Sequence, residues 1–93
     1  MFLSNKRSAA WNKKGLSLHF FGKYYEAIEC FNKSIGINPK NDSSWIFKGI
    51  AFQKLRKYDE EIKCYNEAIK INPDNFPVWR AKGYAHDNLM EYD

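Results

Sequence analysis

The fold of this chain is decided by a stretch that occurs three times: WNKKG at residues 11–15, WIFKG at residues 45–49 and WRAKG at residues 79–83. Each copy begins 34 residues after the one before it. The same interval separates Asn38-Pro39 from Asn72-Pro73. A fixed period of this length indicates a stack of small supersecondary units. Such stacks mostly present surfaces to partners and seldom enclose pockets for substrates.

The first unit has the residue spacing of two successive helices. Apolar residues and glycine from Trp11 to Phe21 recur at steps of four and three, which marks one face of an α-helix. Gly22-Lys23 interrupts this pattern, and a second helical face then runs from Tyr24 to Ile35. Pro39 ends the unit because proline cannot continue a helix. The connection between the two helices is so short that they must form an antiparallel hairpin.

The second unit repeats this plan, with Arg56-Lys57 in place of the glycine turn and Asp42 or Ser43 as the predicted cap of its first helix. We therefore predict an all-α solenoid of antiparallel helix hairpins in a single domain. The predicted parts are a lead-in at 1–7, full repeats at 8–41 and 42–75, and a half repeat at 76–93.

Glycine stands in the middle of each predicted first helix, at Gly15, Gly49 and Gly83. Glycine in a helix interior costs about 0.5–1 kcal/mol relative to alanine. Three repeats of a costly choice predict a steric purpose, namely the close approach of another helix. Ala27 and Ala68 are predicted to serve the same purpose on the second helices.

The composition narrows the range of partners. A net charge of +4 permits acidic partners, but the basic residues are interleaved with glutamates, so nucleic acid is the weakest alternative. No long apolar run or secretory signal is present, and no membrane partner is expected. Cys30 and Cys64 occupy equivalent places in neighbouring units, too far apart for a disulfide. We expect two buried thiols and a cytoplasmic protein.

Catalysis finds no support in the sequence. There is no nucleophile beside an evident base, no glycine-rich phosphate loop and no cluster with metal-ligand spacing. His19 and His86 lie far apart, and both cysteines lack a histidine nearby. We predict no enzymatic activity, no cofactor and no metal site.

The repeated residues resemble the tetratricopeptide repeat, whose pattern runs W-x2-L-G-x2-Y, then A-x3-F, then P. Lysine replaces the leucine in all three units, and its stem can lie on apolar surface. Glu61 replaces the alanine in the second unit, where it either loosens the hairpin or reaches a nearby lysine. The resemblance implies a right-handed superhelix whose concave face is lined by the first helix of each unit. It also implies that the half repeat is a C-terminal capping helix.

Partner peptides usually lie on that concave face, so the resemblance places the binding groove along the first helices. The predicted groove residues are Asn12, Lys13, Leu16, His19 and Phe20 in the first unit, Phe47, Ile50, Gln53 and Lys54 in the second, and Arg80, Tyr84, Asp87 and Asn88 in the third. An apolar floor with a cationic and amide rim suits an amphipathic helix or an extended peptide. The alternative for Phe47 and Ile50 is packing between repeats, and for Lys13, Lys54 and Arg80 a solvated surface.

Members of the family that bind chaperones share a clamp of lysines and asparagines that holds two carboxylates. The corresponding places here are Asn12, Leu16, Phe47, Pro77 and Ala81. We therefore do not expect this chain to recognise an acidic chaperone tail.

The predicted function is a non-catalytic protein–protein interaction module that binds a peptide or helix of a partner protein. The alternative is a structural unit that associates with itself through an open C-terminal end.

Overall fold

The computed structural model describes residues 2–92, in which the chain forms five α-helices. They are α1 (Phe2–Phe20), α2 (Tyr24–Ile37), α3 (Asp42–Lys54), α4 (Tyr58–Ile71) and α5 (Phe76–Tyr92). The predicted all-α fold of helix hairpins is confirmed. Met1 and Asp93, the outermost residues of the predicted lead-in and half repeat, lie outside the described residues. The rest of the lead-in is the first part of α1.

The helices form two layers. The hairpins α1–α2 and α3–α4 pack internally, α2 packs on α3, and α4 packs on α5, while α1 also touches α3. The first helices α1, α3 and α5 therefore lie in one layer and the second helices α2 and α4 in the other. The molecule measures 43 × 29 × 17 Å, so this small chain is a flat stack. Its thinness leaves the outer side of each layer accessible along much of its length.

Two of the three repeated glycines have the steric purpose that the sequence predicts. A Cβ atom added at Gly15 would lie 2.6 Å from the ring of Phe31, and one at Gly49 would lie 2.6 Å from the ring of Tyr65. Both rings are buried, since they stand at the centres of their hairpins. Gly83 differs, because no described atom lies within 4 Å of the same point.

The junction between the first two repeats is a buried network of hydroxyl groups. The Ser34 hydroxyl donates to the Ser8 carbonyl at 2.7 Å, and the Ser8 hydroxyl donates to the Ser34 carbonyl at 3.0 Å. The Ser34 and Ser44 hydroxyl oxygens lie 2.7 Å apart, and the Asn41 amide donates to the Ser8 hydroxyl at 3.0 Å. All three serines are fully buried. Hydrogen bonds therefore tie α1, α2 and α3 together at this point.

The junction between the second repeat and α5 is apolar instead of hydrogen-bonded. Ala68 and Val78 stand where the first junction has Ser34 and Ser44, and both belong to the apolar cluster between α4 and α5. Ile46 packs against the same cluster, at the position that Asn12 holds one repeat earlier. One chain thus joins its repeats in two different ways.

Replacing Ser34 by alanine is expected to lower the free energy of unfolding by about 1–3 kcal/mol, because the Ser8 carbonyl and the Ser44 hydroxyl lose a buried partner. Urea denaturation followed by circular dichroism measures this change. Ser17→Ala, at an exposed serine of α1, is the control and should change stability by less than about 0.5 kcal/mol. Equal stability of the two variants would contradict the structural role of the network.

The cap of α3 corrects one expectation. Its N-cap residue is Asn41, not Asp42 or Ser43, and the Asn41 side chain makes no capping bond. Both side chains are engaged elsewhere in the serine network, since the Asn41 amide donates to the Ser8 hydroxyl and the Ser43 hydroxyl accepts a bond from Asn12.

Both hairpin turns place a residue in the left-handed region. Gly22 has φ 80° after α1, and Arg56 has φ 60° after α3. The bonds are the same in both turns, since Lys23 donates to the Leu18 carbonyl and Lys57 donates to the Phe52 carbonyl, each at 2.9 Å. This is the Schellman pattern, in which glycine is usual. Arg56 therefore holds a backbone conformation that its side chain disfavours.

Arg56→Gly is expected to stabilise the chain by about 0.5–1 kcal/mol, because glycine adopts positive φ without a steric penalty. For a domain of this size, 1 kcal/mol corresponds to a rise in Tm of about 4–8 °C. The matched change is Gly22→Ala, which should lower Tm. A lower Tm for Arg56→Gly would show that the arginine side chain contributes more than its backbone costs.

Candidate functional site

The residues predicted to line a groove all belong to α1, α3 and α5, and we call the side of this layer that faces away from α2 and α4 the first-helix face. Six of the thirteen predicted residues are exposed: Lys13, Phe20, Lys54, Arg80, Tyr84 and Asp87. Two of them are large aromatics, with Phe20 79% and Tyr84 61% exposed. The face therefore presents an aromatic ring on α1 and another on α5.

Six further predicted residues are half-buried: Asn12, Leu16, Phe47, Ile50, Gln53 and Asn88. Asn12 belongs to the junction network, since its amide donates to the Ser43 hydroxyl at 3.2 Å and its oxygen accepts from the Ser44 hydroxyl at 2.9 Å. Its polar atoms are thus engaged inside the molecule.

Phe47 and Ile50 make the inter-repeat contacts that the packing alternative describes. The ring of Phe47 stacks on Phe31 of the first repeat, with centroids 6.3 Å apart and planes inclined by 27°. Ile50 packs against the apolar cluster between α4 and α5. Both residues therefore take part in packing between repeats and are only partly accessible.

His19 is the one predicted groove residue that is buried, and the aromatic rings around it explain why. Its ring meets Phe20 and Tyr24 edge-on, at centroid distances of 5.8 and 5.1 Å. Burial and the positive charge of Lys54 lower its pKa below the ordinary value, so it is neutral at neutral pH. Its Nδ1 is buried and has no hydrogen-bond partner among the described residues. His19 supports the exposed ring of Phe20.

The face has an excess of positive charge. Lys13, Lys54 and Arg80 are exposed, and none of them forms an ion pair with a described residue. Asp87 is the only acidic residue among the predicted groove positions. The combination of unpaired cations with exposed rings is suited to peptides that carry acidic and apolar side chains.

A second set of contacts escaped the sequence analysis. In each first helix a lysine ammonium lies over the tryptophan ring three residues earlier: Lys14 over Trp11 at 5.3 Å, Lys48 over Trp45 at 5.1 Å and Lys82 over Trp79 at 5.4 Å. Residues three apart on a helix are neighbours, so the repeated W-x2-K spacing was the available signal.

The indoles also hold the loops between repeats. Trp45 donates to the Pro39 carbonyl at 3.3 Å, and Trp79 donates to the Pro73 carbonyl at 2.8 Å. Trp45 and Trp79 therefore each fix the loop that precedes their own repeat. These bonds also help to set how one unit is positioned on the next.

Within residues 2–92, no group of three or more histidine, cysteine or acidic side chains is placed to hold a metal ion. No helix in that range has the length and apolar composition needed to cross a bilayer.

Comparison with known proteins now decides the family. The tetratricopeptide repeat family matches the chain at residues 8–41 and again at residues 43–75. The chain belongs to the tetratricopeptide repeat (TPR) family. The two matched segments follow the predicted repeats closely. No curated protein matches the sequence.

Solved TPR structures have the same fold. The second TPR of Spaghetti (RPAP3), bound to the HSP90 peptide SRMEEVD, is 24% identical, with a TM-score of 0.88 over 94% of this chain and 81% of that one. The Arabidopsis OM64 TPR domain is 19% identical, with a TM-score of 0.88 over 96% and 74%. The MamA protein is 17% identical, with a TM-score of 0.89 over 94% and 47%. At these identities the likeness establishes the fold alone.

Glu61 is the clearest departure of this TPR chain from the family pattern. The carboxyl group does not reach a lysine, because it lies inside the hairpin and is 1% exposed. Its Oε2 accepts a hydrogen bond from the Tyr65 hydroxyl at 2.8 Å, while Oε1 is buried without a partner. Glu61 and Tyr65 thus replace Ala27 and Phe31 of the first repeat as a matched pair.

The environment of this pair changes its titration. Burial raises the pKa of Glu61, and the hydrogen bond from Tyr65 only partly opposes that rise. Burial and the neighbouring carboxyl raise the pKa of Tyr65 as well. A carboxyl group with a raised pKa tends toward its neutral form, which costs less to bury.

Proposed function

We propose that this TPR chain is a non-catalytic module that binds a peptide or helix of a partner protein on the first-helix face. The main support is the pair of exposed rings, Phe20 on α1 and Tyr84 on α5, which lie on the outer side of a layer whose other side is covered. Large aromatics of this kind often dominate the energy of protein association. Asn12, Leu16, Ile50 and the other half-buried groove positions are proposed as further contacts.

The positive charge of the first-helix face indicates which side chains the proposed partner carries. Lys13, Lys54 and Arg80 outnumber Asp87, so a bound segment gains from carrying acidic residues between its apolar anchors. Exposed cations contribute more to the rate of association and to the choice of partner than to affinity. Binding is therefore expected to weaken as salt concentration rises.

The partner proposed here differs from the peptides bound by the RPAP3 domains. The positions that correspond to the two-carboxylate clamp hold Asn12, Leu16, Phe47, Pro77 and Ala81, none of which is cationic. Asn12 is engaged with Ser43 and Ser44, and Phe47 with Phe31. A terminal carboxylate would find no positive charge at these five places. The cytoplasmic location expected from the two cysteines also remains a proposal.

The test uses a peptide display library that is selected against the intact chain. Peptides that bind on the first-helix face should lose about thirtyfold or more in affinity when Tyr84 is changed to alanine, as is typical of an aromatic anchor. Tyr25→Ala is the matched control, because Tyr25 is 59% exposed and lies on α2, in the other layer. The SRMEEVD peptide, added separately, should not bind.

Circular dichroism must show the same helix content for both variants before affinities are compared. Selected peptides that bind the Tyr84→Ala chain as tightly as the unchanged chain would exclude the first-helix face as their site. Tight binding of SRMEEVD would contradict the argument from the missing clamp.

A further inference from the structure

The hairpin turns α1–α2 and α3–α4 lie side by side along one edge of the stack, which we call the turn edge. It consists of Phe20, Phe21, Lys23 and Tyr25 of the first hairpin turn and Lys57 of the second. The Lys57 ammonium lies 5.8 Å from the centroid of the Tyr25 ring, which places the two turns next to each other. The loops between repeats lie on the opposite edge, because successive helices pack as antiparallel neighbours.

Three aromatic rings project from the first hairpin turn. Phe20 is 79% exposed, Phe21 is 82% exposed and Tyr25 is 59% exposed. The Phe20 ring meets the buried ring of His19 edge-on, so it is supported from below and points away from the molecule. Exposed aromatic side chains that lie together in this way usually mark an interaction site.

Further repeats on either side of the described ones would not cover Phe20 and Tyr25. The second repeat shows this, because it has neighbours on both sides: α2 packs on α3, and α4 packs on α5. Its residues at the same two places are Lys54 and Asp59, and both are exposed. A longer stack therefore adds its turns beside the turn edge and not on top of it. Phe21 differs in part, since its counterpart Leu55 is half-buried.

The turn edge is also positively charged. Residues 18–25 and 52–58 contain no acidic residue, and their cations are Lys23, Lys54, Arg56 and Lys57. Burial lowers the pKa of His19 and the charge of Lys54 lowers it further, so Lys54 also lies near the first hairpin turn. Acidic residues begin only in the first helical turns of α2 and α4. The rings and the cations thus share one edge.

We propose that the turn edge binds the surface of an anionic membrane, with its aromatic rings in the interfacial layer and its lysines at the lipid headgroups. Rings can enter the apolar boundary of a bilayer while neighbouring ammonium groups stay with the phosphates. Each cation near an anionic leaflet adds to the attraction. A protein partner would need a separate recess for each projecting ring, whereas lipid headgroups part around them.

This contact is made at the bilayer surface. It needs no spanning helix, so the absence of such a helix among residues 2–92 does not oppose it. The proposal does not depend on peptide binding by the first-helix face. Phe20 belongs to both surfaces, and the variants that test the turn edge are therefore placed at Phe21, Tyr25 and Lys23.

The probe is a suspension of sucrose-loaded vesicles, made of phosphatidylcholine alone or with about a third phosphatidylserine. The unchanged chain should cosediment with the anionic vesicles and hardly at all with the neutral ones, and binding should weaken as salt concentration rises. The double change Phe21→Ala and Tyr25→Ala should weaken binding about tenfold or more, because two apolar anchors are lost. Phe76→Ala is the control and should have no effect, because Phe76 is 70% exposed on the opposite edge.

A second pair of variants tests the charge. Lys23→Glu should weaken binding to anionic vesicles several-fold. Lys40→Glu makes the same change of net charge at an exposed lysine of the opposite edge and should weaken binding much less. Tyr84→Ala should leave vesicle binding unchanged although it weakens peptide binding, so failure of this proposal can be told from failure of the proposed function. Circular dichroism must show equal helix content in all variants.

Four results would overturn the proposal. The first is no cosedimentation with anionic vesicles, which would leave a protein as the occupant of the turn edge. The second is equal binding to neutral and anionic vesicles. The third is a Phe21→Ala and Tyr25→Ala chain that binds as well as the Phe76→Ala chain. The fourth is equal weakening by Lys23→Glu and Lys40→Glu, because the attraction would then come from net charge and not from this edge.

Discussion

Gly49→Val is expected to lower the free energy of unfolding by about 2–3 kcal/mol, whereas the same change at Gly83 leaves it almost unaffected. A side chain at Gly49 would begin 2.6 Å from the ring of Tyr65 and 3.2 Å from the Cβ of Cys64. Tyr65 is 1% exposed and is held by its bond to Glu61, so its ring cannot move aside cheaply. The helices α3 and α4 must separate to admit the new methyl groups.

Gly83→Val is the control, and it accounts for the effect of helix propensity. Valine replaces glycine in the middle of a first helix in both variants, so the intrinsic change, a few tenths of a kcal/mol, is common to them. Chemical denaturation of the two variants and the unchanged chain gives the comparison directly. A destabilisation at Gly83 as large as that at Gly49 would mean that the chain covers this position in solution.

Glu61→Gln is expected to become more stable than the unchanged chain as pH rises, and to match it most closely in acid. Burial raises the pKa of Glu61 in the folded chain, so the folded state holds this proton more tightly than the unfolded state does. The stability that the carboxyl contributes is complete below its unfolded pKa of about 4.3 and is lost as pH rises through the folded pKa. Each unit of the rise corresponds to about 1.4 kcal/mol at neutral pH.

Glutamine mimics the neutral acid, because it accepts the same hydrogen bond from Tyr65 and cannot ionise. Urea midpoints of both chains should therefore diverge steadily from about pH 4 to the folded pKa and then run parallel. Glu60→Gln, at an exposed neighbour, supplies the control and should show no comparable divergence. A difference between the chains that shrinks with rising pH would contradict the raised pKa.

The helical architecture could be predicted from the sequence because the same unit repeats along the chain. Trp11, Trp45 and Trp79 set the period, and the helical spacing around them predicted two helices in each full repeat. It did not predict that α1 begins at Phe2, inside the expected lead-in. The close approach at Gly15 and Gly49 could be predicted for the same reason. A costly residue that recurs at one position of a repeat indicates a contact made in every repeat.

The other contacts could not be predicted, because they join residues of different helices and the repeat period does not show which of these residues meet. Ser8, Ser34 and Ser44 come from three helices, and nothing in their spacing indicates that their hydroxyl groups meet. The burial of His19 depends on Tyr24, which lies across the hairpin turn. The pairing of Glu61 with Tyr65 is different, since residues four apart on a helix are neighbours and this contact could have been predicted. The binding residues on the first-helix face remain predictions.

The serine network has a consequence for the order of the units along the chain. If a copy of the second repeat replaced the first, Asp42 and Ala68 would stand in the places of Ser8 and Ser34, and the buried Ser44 hydroxyl would lose the partner that it has in Ser34. The reverse exchange would bury hydroxyl groups against aliphatic side chains at a similar cost. Exchange of neighbouring units by recombination within the gene would therefore give a poorly joined protein, and the two repeats are not interchangeable although they share one sequence pattern.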